Sequence, residues 1–167
     1  KEALINAKKI ISKTKCDAVK LEGGQKIYKI VKNLIKYNIP VMGHLGLLPQ
    51  SEKTFKFKGQ KKSERDKILQ DAKLLQDAGV FSIVLECIET SLAKLITKEI
   101  KIPTIGIGAS NNCDGQILVL DDLIGLNNIN VRFVKKYSNV RREISKAVAS
   151  YANDVRKKKF PLKKHSY

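Results

Sequence analysis

The chain has 167 residues, 43% hydrophobic and 6% aromatic. That suffices for one domain with an aliphatic core, and the chain holds no apolar run long enough to cross a bilayer and no signal-peptide pattern. The three cysteines, Cys16, Cys87 and Cys113, are odd in number and lack Cys-x-x-Cys spacing, which argues against a disulfide framework or a zinc site and fits a reducing, cytoplasmic compartment. The formal net charge of +17 is mostly lysine spread over every helical segment, with no interleaved aromatics and no helix-turn-helix, zinc-finger or RNA-recognition pattern, so a solvated basic surface is the first reading and a polyanion site the second.

Glu2 to Lys15 spaces Ala3, Leu4, Ala7, Ile10 and Ile11 as one helical stripe. The chain opens inside this pattern, at Lys1, and reads as part of a longer one. Ala18 to Glu22 is a short strand closed by Gly23-Gly24, and Lys20 and Glu22, two apart, project from one face of it. They are either an exposed edge pair or, on a sheet covered by helices, a functional pair. Gln25 to Tyr37 is a second helix. A strand over 40–45 then carries His44 near its end, where either a structural or a functional role fits a lone histidine.

Ser51 to Lys62 is long and polar for a connection between a strand and a helix, so it is either a lid or substrate loop or simply disordered. Ser63 is placed to cap the helix that follows, whose buried face is Ile68, Ala72, Leu74, Leu75 and Ala78. Phe81 to Cys87 is a short apolar run between helices, which reads as a buried parallel strand ending at Glu86. A carboxylate at that end sits where α/β folds place their chemistry, although it can equally cap the helix that begins near Glu89. Further strands read at 103–108, ending in small residues that suit a turn or an anion, and at 117–120. An amphipathic helix from Asn139 to Lys159 carries Val140, Ile144, Val148, Tyr151 and Val155, and Phe160 to Tyr167 is a basic tail.

Five βα units in series imply an α/β fold with a parallel sheet, either open and doubly wound or part of a (β/α)8 barrel. Polar residues at successive strand ends (Lys20, Glu22, His44, Glu86) favour the barrel, with residues 1–167 forming the C-terminal part of one domain and three early strands lying elsewhere.

The strand-end blocks VKLEGG (Val19–Gly24), PVMGHLGLLPQS (Pro40–Ser51), VLEC (Val84–Cys87), PTIGIGA (Pro103–Ala109) and DGQILVLDD (Asp114–Asp122), with the terminal Pro161 to Ser166, resemble the ketopantoate hydroxymethyltransferase family over essentially the whole chain. The resemblance implies a (β/α)8 barrel that uses Mg²⁺ and 5,10-methylenetetrahydrofolate to transfer a hydroxymethyl group to 3-methyl-2-oxobutanoate. It implies a homo-oligomer, commonly a decamer, with small-molecule partners and neither membrane nor nucleic acid. Position by position, it makes Glu86 the proton acceptor, Lys20 and His44 substrate-binding residues and Glu22 the metal-associated glutamate. The chain departs from the family in lacking its two metal-associated aspartate blocks, in a shorter and more basic loop at Lys53–Lys62, and in Ser110 where glycine is usual. The chain on its own is therefore expected to be inactive and weak in Mg²⁺ binding. Two other functions fit less of the pattern: a Schiff-base aldolase using Lys20, and a basic RNA- or partner-binding remnant of the fold.

Overall fold

A computed structural model describes residues 1–52 and 56–167, in two compact units, Lys1–Ile117 and Leu118–Tyr167. The first unit is built on five parallel strands: β1 (Val19–Glu22), β2 (Val41–Gly46), β3 (Ser82–Glu86), β4 (Thr104–Ile107) and β5 (Gly115–Gln116). They lie side by side in chain order, β1-β2-β3-β4-β5, and every pair is parallel. A doubly wound sheet reverses its strand order at a switch point; this one never does, so it matches consecutive strands of a (β/α)8 barrel.

The helices are α1 (Glu2–Thr14), α2 (Tyr28–Lys36), α3 (Lys62–Ala78) and α4 (Thr90–Glu99). Side chains alternate between the two faces of a strand, and the register aligns the alternation across the sheet. One face carries Val41, Leu45, Ile83 and Leu85. These join Val31 and Leu34 of α2, Ile68, Ala72 and Leu75 of α3, and Leu92, Ala93 and Ile96 of α4 in a single aliphatic core. The other face carries Lys20, Glu22, His44 and Glu86, aligned by the pairings Lys20↔Met42, Glu22↔His44 and Gly46↔Glu86. Burying the first face against helices leaves the second for polar residues, which is how the helix pattern positions the site.

Three readings of the sequence need correction. The strand expected over 117–120 is instead Gly115–Gln116. Asp114 is drawn back to β4, where its Oδ2 accepts the backbone N–H of Thr104 at 2.8 Å and its hydroxyl at 3.0 Å, and this sets the start of β5. Ile117, Val119 and Leu120 are exposed, and Val119 instead caps a short helix, α5 (Leu120–Leu123), with Asp121 and Asp122 in its first turn. Secondly, no helix separates β4 from β5, so the βα alternation lapses there. Thirdly, Ser63 does not cap α3; the helix starts one residue earlier, and Glu64 Oε2 takes the N–H of Gly59 at 2.7 Å.

The second unit holds α5 and α6 (Val140–Arg156), joined by an irregular stretch. Asn139 caps α6, its Oδ1 accepting the N–H of Arg142 at 3.1 Å. The expected apolar stripe is present, but Ile144, Val148, Tyr151 and Val155 are exposed. Among the described residues no helix is long and apolar enough to cross a membrane.

The helix after β3 is capped by Glu89, whose carboxylate accepts the N–H groups of Ser91 and Leu92, each at 3.0 Å, and pairs with Arg65 of α3. The cap is thus Glu89, which leaves Glu86 free of that role. Bonds from Ser91 depress the Glu89 pKa from 4.5 to about 2, with help from Arg65. A depressed carboxylate stabilises the fold above its unfolded value and ceases to as pH falls through its folded value. Replacing Glu89 with Ala is therefore expected to cost roughly 1 kcal/mol in denaturant unfolding at neutral pH, the usual cost of a lost cap. The gap between wild type and variant closes as pH drops from about 4.5 toward about 2. A gap that persists at low pH would contradict the charge-based account of the cap.

Candidate active site

Each site residue is placed by the strand that carries it. β1 delivers Lys20 and Glu22 to the face away from the helices, with Lys20 exposed and Glu22 half-buried. Glu22 Oε2 accepts the N–H of Gln50 at 3.1 Å, tying the segment after β2 to the end of β1. β2 delivers His44, only 1% exposed, and β3 delivers Glu86, 9% exposed. The register carries these side chains from three adjacent strands onto one face, and the nitrogen His44 Nε2 lies 3.3 Å from Glu86 Oε2.

The backbone after β2 explains that approach. Leu47 donates its N–H to the Glu86 carbonyl at 2.8 Å, and its own carbonyl accepts from His44 Nε2 at 2.8 Å. To make this turn the chain passes Gly46 at φ +98, where a Cβ would lie 2.1 Å from the Glu86 carbonyl oxygen. Only glycine fits that close backbone crossing.

The ring protonation follows from the bond. A carbonyl can only accept, so the Nε2 facing Leu47 carries the hydrogen, and the neutral ring keeps its lone pair on Nδ1. Nδ1 is buried and has no hydrogen-bond partner among the described residues. Burial lowers the His44 pKa below its usual 6.5, with the Leu47 carbonyl and Glu22 opposing and Lys20 assisting. Burial also raises the Glu86 pKa above 4.5; Lys20 pulls it down and Glu22 pushes it up. Burial disfavours the charged form of both partners in the 3.3 Å contact, the His44 ring and the Glu86 carboxylate.

A buried carboxylate with a raised pKa is a stronger base and is suited to taking a proton from carbon, and a cation at its side lowers the cost of negative charge that develops next to it. Cys87 follows Glu86 at φ +49 but is no competing nucleophile, because burial and then Glu86 push its thiol up to about 11. Near Glu22 a cleft of about 510 Å³ opens, lined among others by Gly23, Gly24, Leu48, Lys67 and Asp71.

The magnesium centre is a different matter. Mg²⁺ takes near-octahedral oxygen ligands. Among the described residues no three His, Cys, Asp or Glu side chains gather into a metal cluster, and Glu22 already spends one oxygen on Gln50. These residues by themselves do not fit a magnesium centre.

The lid expected over Ser51–Lys62 falls partly on Lys53–Phe55, outside the described residues. The stem beyond it is anchored, with Lys58 bridged to Ile88 just past β3 and paired with Glu52 at 2.7 Å. Two contributors lay outside the sequence reading. Leu47 acts through its backbone and leaves no side-chain signal. Asp71 had a signal, a carboxylate inside the apolar stripe of α3.

A family model described as ketopantoate hydroxymethyltransferase matches residues 1–163. A relative from Pelagibacter ubique (strain HTCC1062) is 68% identical over 167 residues, covering all of this chain and 65% of the relative. One from Pyrobaculum neutrophilum is 51% identical over 167 residues, covering 98% and 64%. One from Clostridium botulinum (strain Alaska E43 / Type E3) is 47% identical over 170 residues, covering 99% and 62%. Each carries the name 3-methyl-2-oxobutanoate hydroxymethyltransferase. The chain spans a little under two thirds of the length of these curated relatives.

Nitrogen-15 NMR tests the ring assignment. His44 is expected as the neutral Nε2–H tautomer at pH 7, with a midpoint below its usual 6.5. A neutral ring protonated on Nδ1 would show that the Leu47 bond does not set the tautomer, and a midpoint at or above 6.5 would show that burial does not control the charge of the ring.

Proposed function

The chain belongs to the ketopantoate hydroxymethyltransferase family, and on that footing we propose that it carries the proton-abstracting part of a hydroxymethyl transfer. The acceptor is 3-methyl-2-oxobutanoate, the donor 5,10-methylenetetrahydrofolate and the product 2-dehydropantoate, an intermediate of pantothenate biosynthesis. The observation that carries the reading is Glu86: a buried carboxyl group held above its usual pKa, on the same sheet face as Lys20 and Glu22 and beside a neutral His44.

The roles follow from chemistry. A proton on the carbon next to a ketone is weakly acidic, so its removal needs both a base and stabilisation of the enolate. Glu86 takes the C3 proton as its carboxylate. Lys20, exposed on β1, supplies positive charge to the oxoacid. His44 packs against Glu86 and presents an uncharged ring, so it orients substrate without competing for the proton. The enolate carbon then bonds to the one-carbon unit of the folate, whose two bonds to folate nitrogens are broken with the uptake of one water, leaving the hydroxymethyl group on the oxoacid and releasing tetrahydrofolate.

Magnesium, when bound, would act as a Lewis acid on the oxoacid oxygens. Glu22 would be this chain's contribution to holding it. The proposal includes residues 1–167 as the C-terminal portion of one barrel domain, working as a cytoplasmic homo-oligomer.

Product formation by the full-length gene product tests the reading. Glu86→Gln is expected to lose at least about 100-fold in kcat, the usual contribution of a general base. Wild-type activity should rise with pH along a limb above 4.5, as Glu86 loses its proton. Lys20 lowers the Glu86 pKa, so Lys20→Met should move that limb to higher pH. A wild-type rate in Glu86→Gln would defeat the assignment of the base, and an unmoved limb in Lys20→Met would defeat the electrostatic link.

A further inference from the structure

We propose that Asp71 of α3 is a positioning residue for the strand-end site, acting through the turn that follows Glu22. Asp71 lies among Ile68, Ala72 and Leu75 on the buried face of α3 and is only 8% exposed. A carboxylate in such a place is costly unless hydrogen-bonded. Its Oδ1 accepts the N–H of Gln25 at 2.8 Å, across 46 residues of sequence. The carboxylate also lies directly over Gly24, where a Cβ would sit 2.0 Å from Asp71 Cγ. Nothing larger than glycine fits beneath it.

The turn so held leads straight back to the site. Gly23, at φ +117, donates its N–H to the His44 carbonyl at 3.0 Å. Glu22 comes immediately before. The exit from β1 is therefore pinned twice, by β2 through the His44 carbonyl and by α3 through Asp71. Asp71 acts as a hydrogen-bond acceptor of the right length, and its charge is incidental to that task, which separates it from the carboxylates facing the substrate.

The kinetic part of the test rests on the proposed hydroxymethyl transfer; amide exchange does not. In the full-length gene product, Asp71→Ala is expected to lower kcat by roughly 10- to 100-fold in a folded protein, the scale of a small misplacement of reacting groups. Asp71→Asn keeps an oxygen for Gln25 and should stay within about threefold of wild type. Hydrogen exchange at Gly23 and Gln25 should quicken in the Ala variant and stay slow in the Asn variant. Gly24→Ala, which pushes on the same contact from the other side, should reproduce the kcat loss if Asp71→Ala does not fold. The proposal is overturned if Asn is as poor as Ala, if a folded Gly24→Ala keeps the wild-type kcat, or if Asp71→Ala leaves the Gln25 amide protected. Should the wild type transfer no hydroxymethyl group, the functional reading fails by itself and amide exchange alone decides the role of Asp71.

Discussion

The site depends on the backbone of one residue. Leu47 gives its N–H to the Glu86 carbonyl and accepts the His44 ring N–H with its own carbonyl, so a single backbone segment holds the end of β3, with the proposed base Glu86, against the imidazole on β2. Both bonds are 2.8 Å, and both exist because Gly46 lets the chain cross against β3 without a Cβ. Satisfied hydrogen bonds in a buried setting rigidify the groups they join. Here they set which ring nitrogen holds the proton and how near the ring stands to the carboxyl group.

Burial then does most of the electrostatic work. It pushes Glu86 up and His44 down, each toward its uncharged form. Lys20 and Glu22 act on both groups with opposite sign, Lys20 lowering and Glu22 raising. The outcome is a carboxyl group near a cation but poorly solvated, next to a ring that stays neutral. That combination suits a base that must accept a proton from carbon and give it up again.

Much of this was legible in the sequence, for one physical reason: strand periodicity. Two-residue spacing put Lys20 and Glu22 on one face, and short apolar runs between helical stripes gave β1, β2, β3 and β4 nearly at their observed bounds. Where periodicity was the only clue it also misled. Ile117–Leu120 is apolar enough for a buried strand, but Asp114 starts β5 two residues earlier and the run ends as an exposed helix start. Ser63 had the chemistry of a cap, yet Glu64 reached Gly59 and moved the helix start. What stayed hidden is made by backbone atoms or by residues far apart in sequence: the Leu47 carbonyl, and Asp71 on Gln25. The lone carboxylate on the apolar face of α3 was the visible trace of the latter.

The proposed reaction turns on Glu86 as the base that removes the C3 proton. The most direct measurement is proton NMR of 3-methyl-2-oxobutanoate in D₂O with Mg²⁺ and the full-length gene product, folate left out so that only enolisation is seen. Wild type is expected to exchange the C3 proton for deuterium, and Glu86→Gln to leave it in place. Exchange at the same rate in a folded Glu86→Gln variant would contradict the account, because some other group would then be the base.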